Sequence, residues 1–196
     1  DVCSSDLILA RPHPKFDVSK KVFPHRFCGR RDAGHVVVLQ RPGLLNLDLA
    51  RMNNLTGDEL LFHYVYVMEY LWRILDPAPD ALMTSILDLT GIDLSILRKK
   101  EQIKLAARFI STMDAHFPQR AHRTLVINAP RAVGTMYKLA SPLLRESTKQ
   151  RIQIYGKGEE QDEALRHLLT ECPIPETSKT KRDNDEVVSP PGAMEE

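Results

Sequence analysis

Asp88 is the first side chain whose place in the sequence could do chemistry. It stands near the end of the apolar run 82–89, just before Thr90-Gly91, and a carboxylate at the carboxyl end of a buried strand can be a base or a metal ligand in an α/β enzyme. The simpler use of the group is to cap the loop ahead of the next helix by accepting from backbone N–H groups, and that is the reading adopted. The three cysteines, Cys3, Cys28 and Cys172, are scattered without metal spacing and read as a reduced set rather than a disulfide framework. Cys28 with His35 would make half a zinc site, but no second pair follows. Cys28 and Cys172 lie in turn-like contexts and no G-x-S-x-G elbow is present, so nucleophilic catalysis finds no support. His116 and His122 flank a turn and read as ordinary loop residues. Arg41-Pro42-Gly43 supplies too little glycine for a dinucleotide turn. Lys plus Arg at 27 against Asp plus Glu at 26 leave no overall field that would draw nucleic acid. The chain therefore reads as no enzyme, with no metal, no cofactor and no nucleic-acid partner. Binding is what remains.

The elements that would position a binding site follow from periodicity. Val36-Val37-Val38-Leu39 is a strand. Thr56-Gly57-Asp58-Glu59 fits a capping box, opening a helix whose apolar stripe runs through Leu61, Tyr64, Val65, Met68, Leu71, Trp72 and Leu75. Alternation over 82–89 places Met83, Ser85 and Leu87 on one face of a strand and Thr84, Ile86 and Asp88 on the other. A helix is expected over 95–116, then a buried strand that stops at Asn128-Ala129-Pro130, because Pro130 lacks an N–H and restricts the residue before it. Val133, Met136, Tyr137, Ala140 and Leu143 then form one stripe of a short helix that Pro142 stops or kinks. Residues 151–155 alternate like a strand, and 159–170 form the last helix. This order implies an α/β layer structure with a largely parallel sheet. The stripe ending at Leu143 could close a core or act as a lid, and periodicity alone does not separate the two. The run 60–75 is interrupted by His63, Glu69 and Arg73 and is no membrane span. Residues 1–7 read as an adapter-derived scar, 8–31 as a linker or truncated N-terminal remnant, 32–176 as the binding domain and 177–196 as a disordered tail.

Taken in order, Asp32-x-Gly34 before the Val-rich strand, Thr56-x-x-Glu59, Leu87-Asp88-Leu89-Thr90-Gly91, Phe117-Pro118 leading to Ile127-Asn128-Ala129-Pro130, and Ser141-Pro142-Leu143-Leu144 resemble the CRAL-TRIO lipid-binding domain family. The resemblance implies a five-stranded sheet flooring a hydrophobic pocket, with the helix after Asn-Ala-Pro as a gate at the membrane. It is strongest toward the phosphatidylinositol-transfer branch, in which a Thr and a Lys just after the gate contact the inositol phosphate. They match Thr148 and Arg151, and a hydroxyl beside a guanidinium can hold a phosphate monoanion. The branch's Glu after Phe/Tyr-Pro is Gln119 here, which can hydrogen-bond Arg151 or an inositol hydroxyl but cannot form the ion pair. At the phosphatidylcholine site the branch's Ser, Thr and Tyr match Met83, Ser85 and Val38, so two of three polar contacts are lost. The resemblance thus implies Thr148, Arg151, Gln119 and Ser85 toward a headgroup, Met83, Leu87 and Val38 lining the pocket, and Val133, Met136, Tyr137, Ala140 and Leu143 on the gate. It also implies a cytoplasmic protein that visits membranes transiently and carries a phospholipid or another lipophile, such as a retinoid or tocopherol. A protein-interaction module that binds small GTPases is the alternative in a different class.

Overall fold

The run of branched residues Val36, Val37 and Val38 makes a buried strand next to the edge of the sheet, and the parallel strands follow from it in order. The computed structural model describes residues 5–92, 95 and 99–169. Strand β1 spans His25–Asp32, β2 His35–Gln40, β3 Met83–Asp88, β4 Ala121–Ile127 and β5 Ile152–Ile154. They lie side by side in chain order, β1 antiparallel to β2 and the other neighbours parallel. Helices α1 (Phe16–Val22), α2 (Leu47–Met52), α3 (Gly57–Tyr70), α4 (Lys100–His116), α5 (Val133–Ala140), α6 (Glu146–Lys149) and α7 (Glu159–Leu169) accompany them among the described residues. A 3-10 turn over Ser5–Ala10 precedes α1, α3 runs on into a π turn over Leu71–Leu75, and α5 into a 3-10 turn over Ser141–Leu143.

Parallel neighbours in sequence order need crossovers of one hand, which places α3, α4 and α5 on the same face. The core divides accordingly. Val36, Val38 and Met83 pack with Phe16, Tyr64, Tyr66, Met68 and Leu71 in one layer. Val37, Leu39, Ile86, Leu125 and Ile127 pack with Leu165 and Leu168 of α7 in the other. Adjacent residues of β2 go to opposite layers, as the two-residue period of a strand requires. Helix α3 starts as its sequence demands: Thr56 Oγ1 accepts from the Glu59 N–H at 3.2 Å, and the Glu59 carboxylate accepts from the Thr56 N–H at 2.7 Å. Such a cap contributes about 1 kcal/mol. The hydrogen bond from Lys15, with those from Thr56, holds the Glu59 carboxyl down to about 2.

Residues 8–31 are not a linker: they hold α1 and all but the last residue of β1. The prolines that argued against structure punctuate it instead. Pro14 precedes α1, and Pro24 sits between α1 and β1, where neither ladder needs its missing N–H. The basic sequence of β1 escapes a strand pattern because an edge strand pairs on one side only. Its register also shifts between Phe27 and Arg30, and again before Asp32. Cys28 accordingly lies on a strand, buried in the second layer, and not in a turn. The predicted turn before β2 is formed by Ala33 and Gly34 at φ of 53° and 85°, the two positive values that a tight hairpin needs. Strand β4 begins at Ala121, ahead of the predicted apolar run, and ends at Ile127. Residues 96–98 of the helix predicted over 95–116, 93 and 94 before it, Thr170 at the end of the predicted last helix, 171–176 at the end of the predicted domain, the first four residues and the 177–196 tail lie outside the described residues.

Candidate functional site

The sheet face under the crossovers is fixed by register. Val38 pairs with Ser85, Ser85 with Thr124 and Thr124 with Ile152; one step further along, Gln40 pairs with Leu87, Leu87 with Val126 and Val126 with Ile154. These side chains share one surface, but its cover is uneven. Val38, Met83, Ser85 and Val126 are buried, whereas Leu87 and Ile152 are half-buried and Ile154 is 38 % exposed. Tyr64 seals the β2 end, donating its hydroxyl to Gln40 Oε1 at 3.2 Å and stacking edge-on to Phe109 of α4. Val38 and Met83 are therefore members of the packed core under α3, and the face opens only from Leu87 toward β5.

The crossover from β4 to β5 runs through α5, the 3-10 turn and α6. Along α5 the predicted stripe is legible: Val133, Met136, Tyr137 and Ala140 are half-buried while Gly134, Thr135 and Lys138 are exposed. None of the described side chains of α5 is buried, and Leu143 of the 3-10 turn is 39 % exposed. Helix α4 is alike: Ile103, Ala107, Ile110 and Met113 are half-buried and none of its residues is fully buried. One clasp ties the crossover to α4, from Arg145 Nε to Asp114 Oδ2 at 2.7 Å. An apolar crossover is thus held loosely over an apolar sheet edge.

Three of the four residues matched to a headgroup role come to the amino end of β4 and β5. Thr148 is half-buried on α6, and its carbonyl accepts from the Arg151 N–H at 3.0 Å. Arg151 donates through Nη1 to the carbonyl of Ala121, two residues beyond Gln119. Its other guanidinium nitrogens make no hydrogen bond among the described residues. Gln119 is exposed in the turn before β4, at a φ of 61°. Ser85 is separate, buried in the body of the sheet.

Several residues that shape this end were not singled out from sequence. Arg120 Nη1 reaches the carbonyls of Pro79 and Ala81, each at 2.9 Å, and its guanidinium lies 4.9 Å from the Trp72 ring centre. A cavity of about 820 Å³ opens beside it, lined by Glu69, Trp72, Arg73, Phe117 and Gln119 among others. Asp32 binds Arg123 through two bonds of 2.6 Å and accepts from Thr84 Oγ1 at 2.5 Å. Burial pushes its carboxyl up, but the bonds from Arg123 and Thr84 outweigh that and leave it below the ordinary value. At the other end of the sheet Asp88 does what the capping reading expects. It accepts from the Thr90 N–H at 2.9 Å, and also from Thr90 Oγ1 and Asn128 Nδ2. Asn128, at a φ of 52°, is held in turn by Gln161 of α7. Both carboxylates are saturated with donors, which suits bracing and not proton transfer. Among the described residues no three His, Cys, Asp or Glu side chains could hold a metal ion, and no helix is long and apolar enough to cross a membrane.

Residues 21–177 match the family model of the CRAL/TRIO domain. The chain is 23 % identical over 145 residues to Protein real-time of Anopheles gambiae, which covers 71 % of this chain and 21 % of that protein. It is 28 % identical over 116 residues to the human tyrosine-protein phosphatase non-receptor type 9, covering 56 % of this chain and 18 % of the phosphatase. The chain thus spans about a fifth of the length of these curated relatives. The crystal structure of Sfh5 superposes with a TM-score of 0.52 at 20 % identity, covering 66 % of this chain and 48 % of that one, a likeness of fold.

Proposed function

Since the chain belongs to the CRAL/TRIO domain family, we propose that it holds one lipophilic molecule between α5 and the open part of the sheet and transfers or presents it at a membrane. The observation that carries this reading is the uneven cover of one sheet face. Over β2 and the first half of β3 the face is packed solid, while Leu87, Ile152 and Ile154, around the buried Val126, are only partly covered by a crossover without a single buried described side chain in α5. Exposing an apolar stripe and an apolar floor costs roughly 25 cal/mol per Å², and an acyl chain or other lipophile between them offsets that cost. When the crossover lifts, Met136, Tyr137 and Leu143 face the bilayer instead. In this role the protein is a cytoplasmic carrier that touches membranes transiently.

A phosphatidylinositol-type ligand is favoured by the amino-end cluster. Arg151 is oriented by one bond to Ala121 with the rest of its fork available, and Thr148 stands three residues before it. A phosphate monoanion fits such a guanidinium and hydroxyl, and Gln119 adds an amide for an inositol hydroxyl. A non-phospholipid lipophile is the second reading, favoured by the apolar side chains Leu87, Val126, Ile152 and Ile154 on the part of the face beyond the packed core. Native mass spectrometry of the purified protein, with transfer between liposomes, tests the function: no co-purifying lipid and no transfer would sink it. Arg151→Ala separates the ligands. Pickup of phosphatidylinositol should fall at least tenfold, the loss of one charge-assisted contact of about 1.5–3 kcal/mol, with loading of an uncharged lipophile little changed. Equal losses for both would mean that Arg151 supports only the fold.

A further inference from the structure

Apart from the residues of the proposed lipid site, three histidines are packed against one another in the protein interior. His13, just ahead of α1, His25 at the start of β1 and His63 on α3 are 4 %, 7 % and 1 % exposed. His13 Nε2 and His63 Nδ1 are 2.9 Å apart, so one proton lies between them. His25 Nδ1 donates to the Phe23 carbonyl at 2.9 Å, and its ring centre is 5.4 Å from that of His63. His63 Nε2 is buried without a hydrogen-bond partner. Phe16, Phe62 and Tyr66 close around His13, with ring centres at 5.4, 5.1 and 5.2 Å. The 3-10 turn over Ser5–Ala10 and α1 are thus fastened to α3 through one shared proton in an aromatic cage.

We propose that this cluster is an acid-operated latch, in which protonation of both rings of the His13–His63 pair expels residues 8–22 from α3 and uncovers Phe16, Phe62 and Tyr66. With both rings neutral, one N–H lies between the facing nitrogens and the pair is bonded. A first added proton goes to an outer ring nitrogen and leaves that bond in place, but with both rings protonated the facing nitrogens both carry N–H groups with no acceptor between them. The surroundings do not relieve the clash. Lys20 of α1, His25 of β1 and His13 itself all oppose a charge on His63. Asp17 of α1 and Glu59 of α3 favour one on His13, but Glu59 is engaged by Lys15 at 2.7 Å and by its own cap. Tyr64 and Tyr66, the other titratable groups of α3 nearby, are pushed up by burial and stay neutral. Ile8 and Leu9 of the 3-10 turn bring only apolar contact.

Burial holds all three imidazoles below their ordinary value of 6.5. The opened segment therefore binds more protons than the closed one. The latch is fully closed above that value and weakens as the pH falls beneath it. For two imidazoles freed together, the opening constant rises up to about a hundredfold per pH unit in that window.

Hydrogen–deuterium exchange of the full chain, read by mass spectrometry at pH 7.5 and 5.0 and corrected for intrinsic rates, tests this. Protection of peptides within 8–23 should fall by about ten- to a hundredfold at pH 5.0, while peptides from 36–40 and 83–88 keep theirs. Unchanged protection over 8–23, or a fall in step with the strands, would overturn the proposal. His63→Gln should flatten the pH response and His122→Gln, outside the cluster, should leave it intact. If His63→Gln does not fold at pH 7.5, His13→Gln serves in its place. A response that survives the loss of the His13–His63 pair also refutes the latch.

Discussion

The Asp32 clasp offers the sharpest test of how the sheet is held. Asp32 ends β1, yet its partners lie on β3 and β4: Thr84 Oγ1 at 2.5 Å and Arg123 Nε and Nη2 at 2.6 Å each, with His122 Nε2 at 3.7 Å. Its side chain is 10 % exposed and that of Arg123 30 %. Asp32→Asn keeps the shape, removes the charge and turns an N–H₂ toward donors. A hydrogen bond to a charged group contributes about 1.5–3 kcal/mol. The bonds share one carboxylate and do not add, and Arg123 recovers some hydration once released. The expected loss is about 2–3 kcal/mol, or roughly 5–10 °C in Tm for a domain of this size. Urea unfolding followed by circular dichroism should show a lower midpoint at unchanged slope. The pH dependence adds a second check. Because the folded carboxyl lies below its ordinary value of 3.8, its contribution is complete above that pH and is lost as pH falls through the lowered value. The gap between wild type and Asp32→Asn should thus persist at pH 5 and close below pH 4. A loss under about 0.5 kcal/mol at pH 7, the range of an ordinary exposed pair, would refute the claim that this clasp secures the edge strand.

Two further substitutions probe packing. A Cβ on Gly43 would lie 1.9 Å from the Thr90 carbonyl oxygen, backbone that cannot swing aside. Gly43→Ala should therefore cost at least about 2 kcal/mol in urea unfolding, and a neutral result would mean that the 41–44 and 89–92 loops do not touch. Leu125→Ala, at a fully buried site against Ile86, Leu165 and Leu168, should cost about 3–5 kcal/mol. A loss under about 1.5 kcal/mol would show that α7 collapses into the hole.

The elements legible in the sequence are those in which local chemistry and burial agree. Thr56 and Glu59 form the capping box expected of them because both partners lie within one turn of chain. Strands β2 and β3 stand out because they are buried on both sides and carry the apolar runs Val36-Val37-Val38-Leu39 and Ile86-Leu87. Strand β1 was illegible for the opposite reason. His25-Arg26-Phe27-Cys28-Gly29-Arg30-Arg31-Asp32 carries no alternation, and its stability comes from partners remote in sequence, above all Thr84 and Arg123. The early start of β4 was hidden likewise, since Arg123 is polar and is made tolerable by Asp32. On the candidate site, the α5 stripe could be read from spacing, but spacing does not report how tightly a stripe is covered. That depends on α4, whose own apolar side chains are left half-buried. The cavity beside Trp72 is set by Arg120 gripping the 77–81 loop, a contact between a side chain and carbonyls that leaves no mark in a pattern of polar and apolar residues.

The sheet's strands stand in the order in which they are synthesised, and this bears on how the molecule assembles. Each strand from β2 onward meets a neighbour that is already present, with only the intervening crossover to close, so the sheet can extend one unit at a time. Helix α7 is different. It comes after β5, at the far edge, and must return beneath the sheet to set Leu165 and Leu168 against Leu39 and the Cys28 region of the first two strands. Its Gln161 then engages Asn128, locking the very turn from which α5 departs. The departure point of the crossover is thus fixed by a helix that comes after the whole sheet in the chain, so the turn before α5 is complete only once α7 has docked.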